Sequence, residues 1–228
     1  MSTPNTFDQY ASEYDATVQA AINASGESVA FFAELKAKLA RELAPASTSC
    51  VLDFGCGIGN ASRALAGQFP RAKVVGVDPS QESLDAARAK SPRDIDFVQQ
   101  PDDRLPFDDG HFDLAVAACV FHHIPAGEQK GWLDELRRVL RPGGRLVLFE
   151  HNPLNPLTRR VVNAVPFDKD VVLLRRQEAV RLMRGSGLEI RDSKFYFFFP
   201  RALAALRVLE RFMGWVPFGG QYLVVGER

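Results

Sequence analysis

The stretch that decides the fold is Val51–Asn60, which reads VLDFGCGIGN. An apolar run ends there in a carboxylate, Asp53, and three alternating glycines lead into a helical pattern at Ala61–Phe69. Glycine has no Cβ and tolerates positive φ, so its backbone can approach a ligand closely. The open N-terminus of the next helix adds unpaired N–H groups. The stretch therefore predicts a buried strand, a ligand-binding loop and a helix, with a nucleotide-like ligand as the first hypothesis.

The same alternation of strands and helices continues as far as Glu150. Its strands are apolar without polar alternation, which is typical of strands buried on both faces of a parallel sheet that helices cover. The alternation predicts a doubly wound α/β domain with right-handed crossovers. The predicted strands, including two beyond Glu150, are Cys50–Phe54, Val74–Val77, Ile95–Val98, Phe112–Cys119, Arg145–Phe149, Glu189–Phe199 and Gln221–Val225.

Composition narrows the class of protein. Lys plus Arg and Asp plus Glu are equal at 28 each, so no basic field favours a nucleic-acid partner. The polar start is unlike a signal peptide, and no apolar run reaches the roughly 18 residues that a membrane span needs. The three cysteines, Cys50, Cys56 and Cys119, lack metal-site spacing and suit a reducing compartment. We expect a cytoplasmic protein without a metal site, a nucleic-acid partner or a membrane span.

Two details narrow the nucleotide-like ligand. The dinucleotide pattern G-x-G-x-x-G/A fails in both possible registers, because the positions that demand glycine or alanine hold Asn60 and Ser62. The P-loop pattern is absent as well. Asp78 ends the second strand, where a carboxylate can accept two hydrogen bonds from ribose hydroxyls. Alternatively, Asp78 only caps the next helix, with Pro79 in its first turn.

Five motifs, taken in order, resemble those of the class I S-adenosylmethionine-dependent methyltransferases of the type 11-like group. The resemblance implies a Rossmann-like three-layer sandwich. It has a mostly parallel seven-stranded sheet with an antiparallel last strand, N-terminal helices and an insertion after strand five. It also implies S-adenosyl-L-methionine as the cofactor. The motifs are Val51–Gly59, Val75–Asp78, Leu105–Asp113, His122–Ile124 and Leu136–Gly144.

The resemblance also implies the residues that hold the cofactor. Asp53 would bind its amino group, and Asp78 would bind its ribose. The acidic residue before the Leu-Pro-Phe motif usually meets the adenine amino group, but Pro101 stands at that place. Asp102 is therefore expected there instead, with a one-residue shift, and Asp103 follows it as a further candidate. The full set of expected cofactor-binding residues is Tyr14, Asp53, Phe54, Gly55, Gly57, Asp78, Pro79, Asp102, Asp103 and Cys119.

Three histidines are candidate catalytic residues. His122, His123 and His151 follow strands four and five, at the edge where ligands bind in such sheets. Methyl transfer by in-line displacement needs positioning and exclusion of water, and it needs a base only when the acceptor must lose a proton. His151 is the first choice for that base. Alternatively, His123 only fixes its loop by hydrogen bonding.

The predicted function is methyl transfer from S-adenosyl-L-methionine to a small organic acceptor, carried out by a monomer or a homodimer. Two alternatives stay open. The protein could bind the cofactor without turnover, or it could be an NAD-dependent oxidoreductase, which Asn60 and Ser62 disfavour. The sequence leaves the acceptor atom open between oxygen, nitrogen and carbon.

The chain is expected to form a single domain in four parts. These are an N-terminal helical cap (1–45), a cofactor-binding core (46–150), a lid or substrate insertion (151–175) and a C-terminal completion (176–228). The insertion holds three prolines and many apolar side chains, which favours a partly helical lid. The helix predicted at Arg201–Phe212 is expected to pack on the domain's own sheet. It could instead cover the pocket, join a second subunit or touch a membrane surface.

Overall fold

The computed structural model describes residues 13–91, 95–100, 103–168 and 171–228. Within these ranges the strands are β1 (Cys50–Phe54), β2 (Lys73–Asp78), β3 (Asp96–Gln99), β4 (Phe112–Ala118), β5 (Leu140–His151), β6 (Glu189–Tyr196) and β7 (Gln221–Glu227). They form one sheet in the order β3-β2-β1-β4-β5-β7-β6. Neighbours from β3 to β5 are parallel, whereas β7 is antiparallel to both β5 and β6. The predicted Rossmann-like α/β fold with an antiparallel last strand is confirmed.

Helices flank this sheet. The α-helices are α1 (Tyr14–Ile22), α2 (Val29–Leu43), α3 (Asn60–Gln68), α4 (Gln81–Lys90), α5 (Gln129–Val139), α6 (Pro156–Ala164) and α7 (Arg176–Gly185). The 3₁₀ helices are Asn23–Ser25, Phe121–His123, Pro166–Asp168 and Arg201–Phe212. The predicted N-terminal helical cap spans residues 1–45, and residues 1–12 of it lie outside the described ranges. No helix in the described part of the chain is long and apolar enough to cross a membrane.

Both faces of the sheet carry a buried apolar core. Leu52 of β1 belongs to the cluster that contains Trp132 of α5. Its neighbour Val51 belongs to the second cluster, which contains Leu65 of α3. Successive side chains of a strand point to opposite faces, so a strand buried on both faces has no polar alternation. The unbroken apolar runs in the sequence follow from this arrangement.

Strand β5 begins at Leu140 rather than at the predicted Arg145. The extension is held by the last residue of the chain. The N–H of Gly143 donates to the carbonyl of Arg228 at 2.8 Å, and the N–H of Arg228 donates to the carbonyl of Gly144 at 3.0 Å. A local sequence pattern cannot show a partner so far along the chain, which explains the difference.

The prediction that the Arg201–Phe212 helix packs on its own sheet is wrong. The segment is a 3₁₀ helix in which no residue is buried. Strand β6 ends at Tyr196, and the next residue, Phe197, has a left-handed φ of 59°. Few residues other than glycine adopt that conformation, and it redirects the chain. The helix therefore begins after the chain has already left the edge of the sheet.

Candidate active site

The glycine loop after β1 is fixed to the end of β2. The N–H groups of Gly55 and Cys56 both donate to the carbonyl of Val77, at 2.8 and 2.9 Å. A Cβ on Gly55 would lie 2.5 Å from a methyl group of Val120, so this position has no room for a side chain. A Cβ on Gly57 would meet no atom within 4 Å, although its φ of +50° is also left-handed. The loop therefore presents open backbone at Gly57.

That open backbone faces a cavity of about 770 Å³ at the carboxyl ends of β1, β2, β4 and β5. The cavity has the location that ligands occupy in doubly wound sheets. Most of the predicted site residues lie on its wall. They are Tyr14, Asp53, Phe54, Gly55, Gly57, Asp78, Pro79, Cys119, His122, His123 and His151.

The structure describes only one of the two residues expected to meet adenine. Asp103 is exposed and does not line the cavity, and Asp102 lies outside the described residues. Gln100 lines the cavity instead, and its side-chain oxygen is buried without a hydrogen-bond partner among the described residues. An unpaired buried acceptor fits a ligand that brings an N–H donor.

Asp53 is a buried carboxylate at the end of β1. The hydroxyl of Ser62 donates to its Oδ2 at 2.5 Å. Burial raises the pKa of Asp53 to about 6, because water no longer stabilises the charged form. A cationic amino group in the cavity would stabilise that charged form. Asp53 therefore fits the cofactor's amino group, and Ser62, which sequence analysis used only to exclude a dinucleotide, supports it.

Asp78 connects the glycine loop with the start of α4. Its carboxylate accepts from the N–H of Gly57 at 2.8 Å and from the N–H of Ser80 at 3.0 Å. The helix cap itself is Ser80, whose hydroxyl accepts from the N–H of Ser83 at 3.1 Å. The alternative that Asp78 serves only as the cap of α4 is therefore wrong.

Glu150, at the end of β5, anchors the loop that follows β4. Its Oε1 accepts from the N–H of Phe121 at 2.8 Å, and its Oε2 lies 2.6 Å from Nδ1 of His122. Burial alone lowers the pKa of His122, but the Glu150 carboxylate raises it well above the usual value. Burial alone raises the pKa of Glu150, but His122 lowers it. The two side chains form a buried ion pair.

Asp168, from the insertion, reaches both histidines of this loop. Its Oδ1 lies 3.2 Å from Nε2 of His123 and 3.8 Å from Nε2 of His122. Burial lowers the pKa of His123, and the nearby carboxylate of Asp168 opposes that effect only in part. The three ligand atoms lie within 4.8 Å of one another, so they could also hold a metal ion. Asp168 is far from the two histidines in the sequence, so their spacing did not suggest this cluster. The protonated ring of His122 already supplies a positive charge beside the Asp168 carboxylate.

Cys119 lies between the glycine loop and the histidines. Its φ of 61° is left-handed, and Nζ of Lys36 donates to its Sγ at 3.3 Å. Burial raises the pKa of Cys119, but His151 and Lys36 lower it more, to about 7. On the other side, Nδ1 of His151 lies 3.4 Å from Nε2 of Gln221. These contacts hold both side chains on the cavity wall.

Two segments far apart in the chain meet over the cavity. The ring of Tyr14 stacks on Phe167 of the insertion, with centroids 5.2 Å apart and planes at 13°. The amide of Asn60 donates to Asp15 at 2.7 Å and fixes α1 on the start of α3. The N-terminal helix and the insertion therefore cover the site together.

Sequence analysis did not single out five polar residues that lie on this wall or, in the case of Glu150, behind it. Glu150 could have been found, because a carboxylate that ends an apolar strand is unusual. The others are brought to the site only by the fold, and no local signal marks them. The five residues are Lys36, Gln100, Glu150, Asp168 and Gln221.

Several named proteins are similar in sequence to a large part of this chain. A family profile described as a methyltransferase domain matches residues 51–144. A ubiquinone/menaquinone biosynthesis C-methyltransferase of Syntrophotalea carbinolica is 32% identical over 184 residues, 79% of this chain and 71% of that protein. A demethylmenaquinone methyltransferase of Clavibacter sepedonicus is 38% identical over 123 residues, 53% of this chain and 49% of that protein. The chain thus spans about half the length of that second relative.

Solved structures share the fold at lower identity. A Haloferax volcanii methyltransferase, solved in complex with a methyltransferase activator, has a TM-score of 0.70 at 23% identity, covering 97% of this chain and 96% of that one. A TehB-like S-adenosylmethionine-dependent methyltransferase of Corynebacterium glutamicum has a TM-score of 0.63 at 20% identity, covering 99% and 100%.

The fold and the cavity define a Rossmann-like enzyme that transfers a group from a nucleoside cofactor. The chain belongs to the class I S-adenosylmethionine-dependent methyltransferases, and its cofactor is S-adenosyl-L-methionine. The open backbone at Gly57, the buried carboxylate of Asp53 and the unpaired oxygen of Gln100 all fit that cofactor.

Proposed function

We propose that this methyltransferase acts on a small, largely apolar acceptor that carries a phenol-like or enol-like hydroxyl. The observation that carries the proposal is the His123–Asp168 pair, which lies on the wall of the same cavity as the glycine loop. Apart from this pair, the wall formed by the insertion and the end of β6 is mainly apolar. Its residues include Leu157, Val161, Val162, Val165, Phe197 and Phe198. Apolar cavities with a few placed polar groups suit small organic ligands.

In the proposed arrangement, polar groups near the glycine loop hold the cofactor. Asp53 binds its ammonium group, Asp78 accepts hydrogen bonds from its ribose, and Oε1 of Gln100 accepts one from its adenine amino group. Gly57 leaves room for it, because this residue lines the cavity without a side chain and no other atom lies within 4 Å of where its Cβ would be. When bound, the cofactor would supply a methyl group on a sulfonium. The acceptor would attack that methyl carbon in line, and the neutral thioether would leave.

His123 is the proposed base. Burial lowers its pKa, so its ring is neutral at neutral pH and can accept the proton of the acceptor hydroxyl. The carboxylate of Asp168, whose Oδ1 lies 3.2 Å from Nε2 of the ring, orients the ring and stabilises the imidazolium that forms. His122 is a poor base, because Glu150 raises its pKa and keeps it protonated. His151 stays the alternative.

The same base serves methylation at oxygen and at carbon. Loss of a phenol proton makes both the oxygen and the ring carbon beside it nucleophilic. Two relatives are named a demethylmenaquinone methyltransferase and a ubiquinone/menaquinone biosynthesis C-methyltransferase. Both names refer to quinones, which supports an aromatic acceptor of the quinol type.

The test uses the full chain with S-adenosyl-L-methionine and four acceptors: a naphthalenediol, a catechol, a primary amine and an aliphatic tricarboxylate. Release of S-adenosylhomocysteine and the mass of the product report turnover. We expect methylation of the two phenolic acceptors. Methylation of the amine or the tricarboxylate alone would refute the proposed acceptor class. Cofactor binding without any product would favour the binding-protein alternative.

Matched variants distinguish the loss of the catalytic base from a loss of folding or of cofactor binding. His123→Ala should lower kcat by about a hundredfold or more without changing the Kd of the cofactor, because a general base contributes that much. His111→Ala is the control, since His111 is exposed and does not line the cavity. If His151→Ala loses turnover while His123→Ala keeps it, His151 is the base.

We propose the cytoplasm as the place of this reaction. Cys50, Cys56 and Cys119 are free cysteines, and a reducing compartment keeps thiols in that state. We also propose that the chain forms a single domain in four parts. We propose that it acts as a monomer or a homodimer.

A further inference from the structure

An exposed apolar stripe follows β6. Its large side chains recur at every third residue, which is the period of a 3₁₀ helix. Leu206, Leu209 and Phe212 therefore lie on one side of the regular part of the Arg201–Phe212 helix, and Leu203 lies at a kink before it. Their exposed fractions run from 41% for Leu206 to 79% for Trp215. The stripe consists of Leu203, Leu206, Leu209, Phe212, Trp215 and Phe218.

The stripe is continuous with the insertion over the cavity. The amide of Asn155 donates to the carbonyl of Phe218 at 2.7 Å, and the amide of Asn152 donates to the carbonyl of Pro217 at 3.0 Å. These bonds place the end of the stripe beside the start of α6, where Leu154 and Leu157 are also exposed. We call the six stripe residues together with Leu154 and Leu157 the apolar face.

The fully exposed charges of the two helices that carry most of the apolar face have one sign. In α6 the charged residues are Arg159 and Arg160, and both are exposed. In the Arg201–Phe212 helix, Arg201 and Arg211 are exposed. Its one carboxylate, Glu210, accepts hydrogen bonds from the N–H groups that follow Phe197, at 3.0 Å each, and is only partly exposed.

We propose that the apolar face docks this methyltransferase on the surface of an anionic lipid bilayer, without spanning it. Apolar and aromatic side chains beside arginines are the pattern of segments that lie in a membrane interface. Anionic headgroups attract the four arginines, and the aromatic rings of Phe212, Trp215 and Phe218 suit the headgroup level.

Charge complementarity favours the bilayer over a second copy of this chain. In a twofold dimer the same patch meets itself, so the arginines around one apolar face would approach those of the other. Like charges across an interface oppose association. An anionic surface meets the same arginines with favourable charge.

The docked orientation has a consequence for the acceptor. Leu157, of the apolar face, and Phe198 and Pro200, at the base of the stripe, line the cavity. An apolar acceptor dissolved in the bilayer would therefore meet the cavity beside the docked surface. This consequence rests on the proposed function, whereas the docking itself does not.

Vesicle binding tests the docking without any assay of turnover. The full chain is mixed with vesicles of phosphatidylcholine alone or with phosphatidylglycerol added, and binding is measured by flotation and by tryptophan fluorescence. The chain has two tryptophans, and Trp132 is buried, so a blue shift on binding reports Trp215. We expect binding to the anionic vesicles that weakens with salt.

Matched variants locate the contact. Trp215→Ser should remove the blue shift and weaken binding at least fivefold, and Arg159→Gln with Arg160→Gln should weaken it by about fivefold for each charge. The controls are Val172→Ser and Arg71→Gln, which change exposed residues off the apolar face. Thermal unfolding confirms that each variant is folded.

Three outcomes would overturn the docking. The first is no binding to anionic vesicles at low salt. The second is equal binding by Trp215→Ser and by the native chain. The third is a concentration-dependent dimer, seen by light scattering, that Trp215→Ser abolishes while vesicle binding is absent, which would make the face a dimer interface. A failed search for the acceptor would leave each of these readings unchanged.

Discussion

The Oδ1 atom of Asp168 lies 3.2 Å from Nε2 of His123 and joins the insertion after β5 to the loop after β4. The insertion also carries much of the apolar wall of the cavity. The insertion therefore both covers the cavity and places the carboxylate beside the His123 ring. A base that is oriented only when the cavity is covered would act only when water is excluded.

Asp168→Asn is expected to lower kcat by about a hundredfold while the Kd of the cofactor stays unchanged, because the base loses its orienting carboxylate. The carboxylate raises the pKa of His123 against the effect of burial. Its removal therefore moves the acidic limb of the kcat/KM profile to lower pH. The control is Asp85→Asn, at an exposed ion pair with Arg88. A lower kcat with an unmoved acidic limb would show that Asp168 acts on the fold rather than on the base.

Glu150→Gln is expected to lower the free energy of unfolding by about 3 to 5 kcal/mol near neutral pH, because it leaves a buried imidazolium without its partner. The folded pKa of Glu150 is lowered, so its contribution is lost as the pH falls below the usual value of 4.5. The folded pKa of His122 is raised, so its contribution is present in full below 6.5 and is lost as the pH rises through the raised value.

The difference between the native chain and Glu150→Gln should therefore be largest between pH 4.5 and pH 6.5. Urea titrations across this window and on both sides of it measure the difference. A difference that does not change with pH would mean that packing, and not the ion pair, accounts for the loss.

Gly57→Ala and Gly55→Ala are expected to fail in different ways. At Gly57 the new Cβ meets no protein atom, so the cost in stability is about 1 kcal/mol from the left-handed φ, but the methyl group enters the cavity and cofactor binding is lost. At Gly55 the Cβ lies 2.5 Å from a methyl group of Val120, so stability falls by several kcal/mol. Calorimetric titration and thermal unfolding of both variants make the comparison. Normal cofactor binding by Gly57→Ala would argue against the assigned cradle.

Gln100→Leu is expected to weaken cofactor binding by about tenfold, because one hydrogen bond to a buried acceptor is lost. Its backbone N–H donates to the carbonyl of Asp78 at 3.0 Å, and the substitution keeps that bond. Asp103→Asn is the matched control and should leave the Kd unchanged, because Asp103 is exposed away from the cavity. If a calorimetric titration instead shows a weaker Kd for Asp103→Asn and an unchanged Kd for Gln100→Leu, the acidic residues and not Gln100 contact the adenine.

The sheet and the glycine loop could be predicted because their signals are local. Strand β1 is apolar on both faces, and the loop that follows it has glycine where φ is positive, as at Gly55 and Gly57. The extension of β5 could not be predicted, because the residue that holds it, Arg228, is the last of the chain. Local periodicity specifies elements, but it does not specify their distant partners.

In the site, too, residues with a local sequence signal could be predicted and residues brought there by distant contacts could not. Asp78 stands in a contiguous motif and was predicted, and it does line the cavity. Asp168 reaches the histidines only because the insertion folds back over the sheet, and its sequence neighbours give no sign of it. The packing of the Arg201–Phe212 segment was predicted wrongly for a related reason. A helical period close to 3.6 residues and one of three residues look alike over a short segment, and they place the stripe differently.

The hydroxyl of Ser62 has a consequence for how such binding sites diverge. Replacing it with alanine would complete the dinucleotide pattern that begins at Gly57, yet the same change would take away the donor that holds Asp53. The hydroxyl oxygen of Ser62 is thus the one atom by which this loop departs from the dinucleotide pattern that begins at Gly57. A loop that carried alanine at this position would need another donor for the carboxylate at the end of β1.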